Sequence, residues 1–343
     1  MRAGGNKLPD VNRRNYGVGG KKAALRQLVI LHNDVGLNPA PDDADTLRQA
    51  ECVYAAAHGA FDARIVSFKK LSDLSALPND CVVFNLAEEY GGDGYGAYKI
   101  PETLEKLKIP FTGAGSAAMK KTGDKTAAKS MRAHGIPMPA YVALKQKPVG
   151  FLPGEYIIKP ARQSGSKGIG ENSVVRVDSI KDLKAILRKT DPAYMYFAER
   201  YIDGREIGVS MIEKEDGGAQ ILPPREICFR NFGNNYKILD YAAKWDGQSE
   251  RYKNTVSVEM REESDAPLLR KLENICRAVW RWFGLRGWAR VDFRIDRCGT
   301  PFVLEINCNP CLTPPDSGFY LAAESAGLTL KDVIGRLIEY ARF

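Results

Sequence analysis

Between Arg286 and Thr313, apolar and polar positions alternate with period two in two successive runs, the pattern of strands with one buried and one wet face. In the first run Val291, Phe293 and Ile295 take one side, Arg290 and Asp292 the other. In the second, Phe302, Leu304 and Ile306 oppose Glu305 and Asn307. Arg297-Cys-Gly-Thr300 predicts a four-residue hairpin loop between them. That register sets Asp292 opposite Glu305 and Arg290 opposite Asn307.

Elsewhere the pattern is coarser. Residues 27–32 predict a buried strand, 43–58 a helix stopped by Gly59, and 63–68 and 81–84 further strands. Such alternation predicts a parallel sheet with helices on its faces and ligands at the carboxyl ends of the strands. The loops at those ends are 32–36 and 85–89, and Pro110 marks the end of this first domain. A helix opens at Thr122-Gly-Asp-Lys125 and stops at Gly135. Strands follow at 155–160, 173–177, 194–200 and 205–212, with a helix capped by Ser179 running to about Arg188. Residues 264–283 form the clearest helix, with Leu268, Leu269, Leu272, Ile275, Cys276, Val279 and Phe283 on one stripe. An amphipathic helix begins near Leu330. The glycines of 91–96 lack the strand–turn–helix setting of a dinucleotide fingerprint and read as a flexible turn.

The 343 residues are 44% hydrophobic and 27% charged, ordinary for a soluble globular enzyme of two or three domains. Net charge is +8, but residues 1–26 hold seven Lys/Arg against one Asp, leaving the body near neutral. A flexible basic tail, and not a nucleic-acid surface, is therefore expected. No apolar run reaches the roughly 18 residues needed to cross a bilayer, and the amino end lacks a signal-peptide core. Seven irregularly spaced cysteines predict a reducing cytoplasm. Cys308-Asn-Pro-Cys311 has the spacing of a redox or zinc pair, but it lacks a second pair and its place in the hairpin stretch explains it.

Facing carboxylates across a strand pair repel. A divalent cation removes that cost, and Asp292 and Glu305 with the Asn307 amide make an oxygen set suited to magnesium that keeps water and phosphate as its other ligands. Ser164-Gly-Ser-Lys-Gly168 can cradle phosphates through backbone N–H groups, with Lys125 and Lys159 as counter-charges. Glu199-Arg-Tyr-Ile202 suits an adenine, offering a carboxylate for the exocyclic amine and backbone for the ring edge.

Taken in order, these pieces resemble the ATP-grasp ligases of the D-alanine–D-alanine ligase type, from about Leu28 to the end. The matching stretches are Phe111-Thr-Gly-Ala-Gly115, Asp124-Lys125, Ile158-Lys-Pro-Ala-Arg162, Glu199-Arg-Tyr-Ile-Asp-Gly-Arg-Glu206, Ala243-Lys244, and Arg290-Val-Asp-Phe through Leu304-Glu-Ile-Asn307. The resemblance implies an α/β ATP-grasp fold: a parallel α/β substrate domain (27–110) and two α+β subdomains (111–200 and 201–343) that clamp ATP. It further implies that Lys125 and Lys159 meet phosphates and purine, with Ser164, Gly165, Ser166 and Gly168 over the phosphates. Glu199, Arg200, Tyr201 and Ile202 would hold adenine, Glu206 the ribose, and Lys244 the γ-phosphate. Asp292, Glu305 and Asn307 would carry two Mg²⁺ ions, which Mn²⁺ can replace. Arg290, Lys244, Gly165 and Ser166 are the catalytic candidates, Arg290 stabilising an oxyanion. A homodimer is also implied.

The substrate side departs from that pattern. The first loop lacks its Gly-Gly-x-Ser-x-Glu motif, and Glu88 and Glu89 stand where the family has a histidine near substrate. Gly165 and Trp245 replace a serine–tyrosine pair, and Cys311 and Asp316 a glycine and serine. An aspartate there repels a carboxylate and favours an ammonium or guanidinium. The expected activity is therefore ADP-forming ligation of a carboxylate on an amino acid or short peptide to an amine, through an acyl phosphate. Glu88, Glu89, Trp245, Arg290, Cys311 and Asp316 are the candidate substrate residues. D-alanine–D-alanine ligation proper stays open, as does a non-catalytic ATP-binding regulator, although the latter needs neither Arg290 nor Lys244.

Overall fold

A computed structural model describes residues 26–261 and 263–343. The expected basic tail therefore lies outside the described residues except for Arg26. Strand β1 (Gln27–Asn33) runs between β2 (Asp62–Phe68) and β3 (Val82–Asn85), all parallel. Leu28 to Leu31 are buried on both faces, as the centre of a parallel sheet requires. Between β1 and β2, α1 (Pro41–Ala57) starts on a proline with Asp42 and Asp43 in its first turn, where acidic groups suit the helix dipole. Val53 and Ala57 of α1 share one apolar cluster with Leu28 and Ile30. On the other face, α2 (Lys99–Leu107) packs Ile100 and Leu104 against Val29, Leu31 and Val83.

After α3 (Ser116–Thr122), the helix expected from Thr122 to Gly135 is broken up. Asp124 accepts from Thr126 N–H and Ala127 N–H and caps a single turn, α4 (Lys125–Ala128), and tighter 3₁₀ turns continue to Gly135, which closes them in the left-handed region. The second sheet is antiparallel, in the order β4 (Tyr141–Ala143), β7 (Tyr196–Arg200), β5 (Gly154–Pro160), β6 (Val174–Val177). Helix α5 (Ile180–Arg188), capped by Ser179, covers it through Leu183 and Leu187. β7 begins two residues later than expected because Asp191 caps a short turn at Pro192–Tyr194.

In the third sheet β8 (Arg205–Glu213) pairs with β10 (Arg225–Phe229) near its start and with β9 (Ala219–Ile221) near its end. α6 (Tyr241–Trp245) and α7 (Glu250–Lys253) follow, then the edge strand β11 (Thr255–Glu259). α8 (Ala266–Phe283) lays Leu272, Cys276, Val279 and Phe283 on Ile207, Val209, Val291 and Phe293. The hairpin is β12 (Trp288–Ile295) and β13 (Pro301–Asn307), paired Arg290 with Asn307 and Asp292 with Glu305. The expected alternation fails beyond that point. A bulge leaves Leu304 unpaired and turns Val303, fully buried, towards the core, while Phe302 and Leu304 stay partly exposed.

Past α9 (Gly318–Ser325) the chain does not stay with the third sheet. α10 (Leu330–Glu339) returns to the first, burying Val333, Ile334, Leu337 and Ile338 beside Leu28 and Ile30. The first core is thus closed by the other end of the chain. Trp288, fully buried, joins the two regions: its indole N–H donates to the Pro310 carbonyl at 2.9 Å and its ring lies 5.7 Å from that of Phe84. Trp288→Ala should cost about 3–5 kcal/mol and lower the thermal midpoint by several degrees; an unchanged melting curve would contradict this packing role.

Candidate active site

The second and third sheets face each other across a cleft, and the carboxyl ends of the first close one side of it. β5 and β7 are neighbours, so Lys159 and Glu199 rise from adjacent strands, and the turn after α4 brings Lys129 to the same point. The Glu199 carboxylate, fully buried, receives both the Lys129 and Lys159 ammonium groups. Burial works to raise its pKa, yet the two lysines outweigh it and hold the carboxyl below its ordinary value. Burial also pushes Lys129 down, against the pull of Glu199. Glu199 therefore meets amines from its own chain, at the place where the sequence leads one to expect a carboxylate for the adenine amine. Lys129 escaped notice in the sequence, although its spacing of four from Lys125 put it on the same helical face. The Arg200 guanidinium donates to the carbonyls of Leu152 and Pro153, and Arg200, Tyr201 and Ile202 all line the cleft wall.

Loop 161–168 is clamped on several sides. Lys125 donates from its backbone to the Ala161 carbonyl at 2.8 Å and from its ammonium to the Gln163 carbonyl, and that ammonium lies 3.7 Å from Glu305. Gly165, Ser166 and Gly168 all have positive φ, a conformation that costs energy at the non-glycine Ser166. The Ser166 hydroxyl donates to the Leu239 carbonyl at 2.7 Å and so serves the loop's closure. Gly168 does not line the cleft; it backs onto Tyr196, whose hydroxyl would lie 2.7 Å from a Cβ there. The Gly165–Trp245 replacement forms a contact of its own, the indole N–H donating to the Gly165 carbonyl at 2.8 Å. Lys167 reaches Asp42 at the start of α1 at 2.8 Å, and the Tyr241 hydroxyl donates to the same carboxylate at 2.8 Å. One half-buried aspartate thus ties the loop and α6 to the first sheet's helix.

α6 carries Lys244 into the cleft, where burial and then Arg290 lower its pKa. On the hairpin, Arg290 donates two parallel hydrogen bonds to Asp292, at 2.6 and 2.9 Å. Glu206 is held by Arg294 at 2.7 Å; Arg294, another residue missed in the sequence, is buried and also donates to the Gly204 carbonyl at 3.2 Å. Asp292, Glu305 and Asn307 line the cleft together. No group of three or more His, Cys, Asp or Glu forms a metal-ligating cluster among the described residues. Two carboxylates and an amide fit a cation that takes its remaining ligands from phosphate and water, and partial exposure leaves them accessible to it.

Beyond Lys244 and Arg290 the cleft widens into a cavity of about 1040 Å³, lined by Asp45, Arg48, Glu88, Trp245, Cys311 and Asp316 among others. Glu89 is not among the lining residues; it turns to Lys167 at 3.8 Å. Asp316 stands exposed at the rim. The Cys311 thiol donates to Asp45 at 3.0 Å and is pushed up to about 12, mainly by burial, whereas Cys308 meets Thr122 at 3.1 Å. The two thiols serve separate partners, and all seven cysteines are free.

The three sheets and the cleft between them define an ATP-grasp enzyme, an ADP-forming ligase that makes a carbon–nitrogen bond and uses ATP with divalent metal. The chain belongs to the D-alanine–D-alanine ligase family: the model for the D-ala D-ala ligase C-terminus matches residues 131–339. It is 32% identical to the D-alanine–D-alanine ligase of Chromohalobacter salexigens over 78% of this chain and 80% of that one. The corresponding ligase of Cupriavidus taiwanensis is 29% identical, covering 83% and 81%. Among solved structures, the D-alanine–D-alanine ligase of Bacillus anthracis complexed with ATP superimposes with a TM-score of 0.69 at 19% identity, over 92% of this chain and 97% of that one. No helix among the described residues is long and apolar enough to cross a membrane.

Asp42→Ala releases Lys167 and Tyr241 together. Calorimetric titration should then show ATP binding weakened about tenfold, equivalent to ~1.4 kcal/mol; unchanged affinity would mean that the loop closes without this tie.

Proposed function

We propose that the protein ligates the carboxylate of an amino acid or short peptide to an amine acceptor, with residues 111–200 and 201–343 forming the nucleotide cleft and 27–110 the substrate wall. The observation that carries this is the meeting of Lys244, Arg290 and the facing pair Asp292 and Glu305 beside the glycine loop. The backbone at Tyr201 and Ile202 takes the adenine edge and Glu206 the ribose. Lys125, Lys159 and the N–H groups of Ser164, Gly165 and Ser166 hold the phosphates, and Lys244 the γ-phosphate.

A substrate carboxylate oxygen attacks the γ-phosphorus; the O–P bond forms, the bond to the β-phosphate oxygen breaks, and ADP leaves. The amine then attacks the acyl carbon, a C–N bond forms, and phosphate departs. Charge builds on the carbonyl oxygen during that attack, and Arg290, oriented by its two bonds to Asp292, stabilises it. Asp292, Glu305 and Asn307 would hold two divalent cations, which would supply neutralisation of the phosphate charge. Lys244, its pKa lowered by burial and then by Arg290, is placed to gain a stabilising partner when phosphate arrives.

An acceptor other than D-alanine is favoured by Glu88, Asp316 and Cys311 in the substrate cavity and by its size, which accommodates more than a single small amino acid. D-alanine–D-alanine ligation is the second reading, supported by the names of the relatives. ADP release with Mg-ATP against a panel of single and paired D- and L-amino acids and short peptides, with mass analysis of the products, separates the two. Turnover with D-alanine alone would favour the second. Arg290→Ala should lower kcat by on the order of 10²–10³ with ATP still bound; full activity in that variant would sink the catalytic assignment.

A further inference from the structure

The amine that attacks an acyl phosphate arrives as an ammonium and must lose a proton before its lone pair is free. Besides Glu206, Asp292 and Glu305, already described, four carboxylates stand in or near the cavity where it must enter, and one of them is both unpaired and set into the cavity wall. Asp45 is bound by Arg48 at 2.9 Å and by the Cys311 thiol at 3.0 Å. Glu89 turns to Lys167, and Asp316 is exposed at the rim. Glu88 is half-buried on the cavity wall, and its carboxylate has no hydrogen bond or ion pair among the described residues.

Its backbone, by contrast, is fixed. Asn33 accepts from the Glu88 N–H at 2.9 Å and donates to the Glu89 carbonyl at 2.8 Å. Asn309, two residues beyond Asn307, donates to the Ala87 carbonyl at 3.3 Å. Glu88 is thereby held in place from both the first sheet and the hairpin that carries Arg290. Resting on the ligase activity proposed above, we infer that Glu88 is the catalytic base that receives the proton of the acceptor ammonium.

The step balances. The ammonium N–H bond breaks and its proton goes to a Glu88 oxygen; the freed lone pair forms the C–N bond as the C–O bond to phosphate breaks. The second N–H proton leaves with phosphate as HPO₄²⁻. The surroundings suit this task. Burial raises the Glu88 pKa to about 7, opposed by Lys244 of α6 and Lys167 of the glycine loop and assisted by Asp45 and Asp42 of α1. An α-amino group at a peptide terminus titrates at about 7.7–8.0 and that of a free amino acid higher, so a carboxylate raised to about 7 is better matched to the donor than an ordinary one.

The test compares wild type with Glu88→Gln, using the amino-acid pair that releases most ADP in the panel above, D-alanine with D-alanine being the first probe. Each enzyme receives the carboxylate with either its amine or hydroxylamine, which is largely uncharged at neutral pH and needs no proton removed before attack. In wild type, amide formation should rise with pH through about 7, as Glu88 ionises. In the variant at pH 7 the amide rate should fall on the order of 10²-fold while hydroxamate formation persists, and raising the pH should restore amide. An unchanged amide rate would overturn the assignment, and so would parallel loss of hydroxamate and amide, since that marks a role in binding or folding. Wild type that makes neither product with any member of the panel defeats the ligase reading itself, a result distinct from both.

Discussion

Asp292 and Glu305 face each other across one strand pair, and two like charges in that position repel unless something lies between or beside them. The chain supplies part of the answer itself. Arg290 grips Asp292 with two hydrogen bonds, and the Lys125 ammonium stands 3.7 Å from Glu305. Arg290 stands on the hairpin itself and Lys125 on α4, so part of the hairpin's charge is met by an element outside its own sheet.

The same logic governs Glu199. A buried carboxylate alone is costly, and one between two lysines is an ion cluster whose geometry must be held tightly. Three elements meet there: β5, β7 and the turn after α4. Because Lys159 is committed to Glu199, the cleft floor is a fixed positive surface beside the place where polyphosphate must lie.

Closure is different in kind. Asp42 belongs to the first sheet's helix, Lys167 to the glycine loop and Tyr241 to α6, so one carboxylate connects three parts of the chain far apart in sequence. Trp245 adds an indole bond to the Gly165 carbonyl. Loop and helix are thus held by contacts that include backbone, which permits a glycine at 165 where a serine would otherwise offer its hydroxyl.

Local pattern was enough to set the hairpin register, the buried first strand, the long helix at 266–283 and the final helix, because each has a strong period or cap of its own. It also singled out Lys125, Lys159, Asp292, Glu305 and Asn307, and the family resemblance added Lys244 and the role of Arg290. The short strands β4, β9, β10 and β11 were not legible, since three to five residues carry too little periodicity. Nor was the bulge at Leu304, which depends on how the partner strand is drawn against β8. Only the tertiary structure could decide that Glu199 is claimed by Lys129 and Lys159, that Glu89 faces Lys167 while Glu88 faces the cavity, and that the last helix completes the first core. Burial and charge pairing between distant segments decide such matters, and a sequence states which groups exist but not which of them lose their water together.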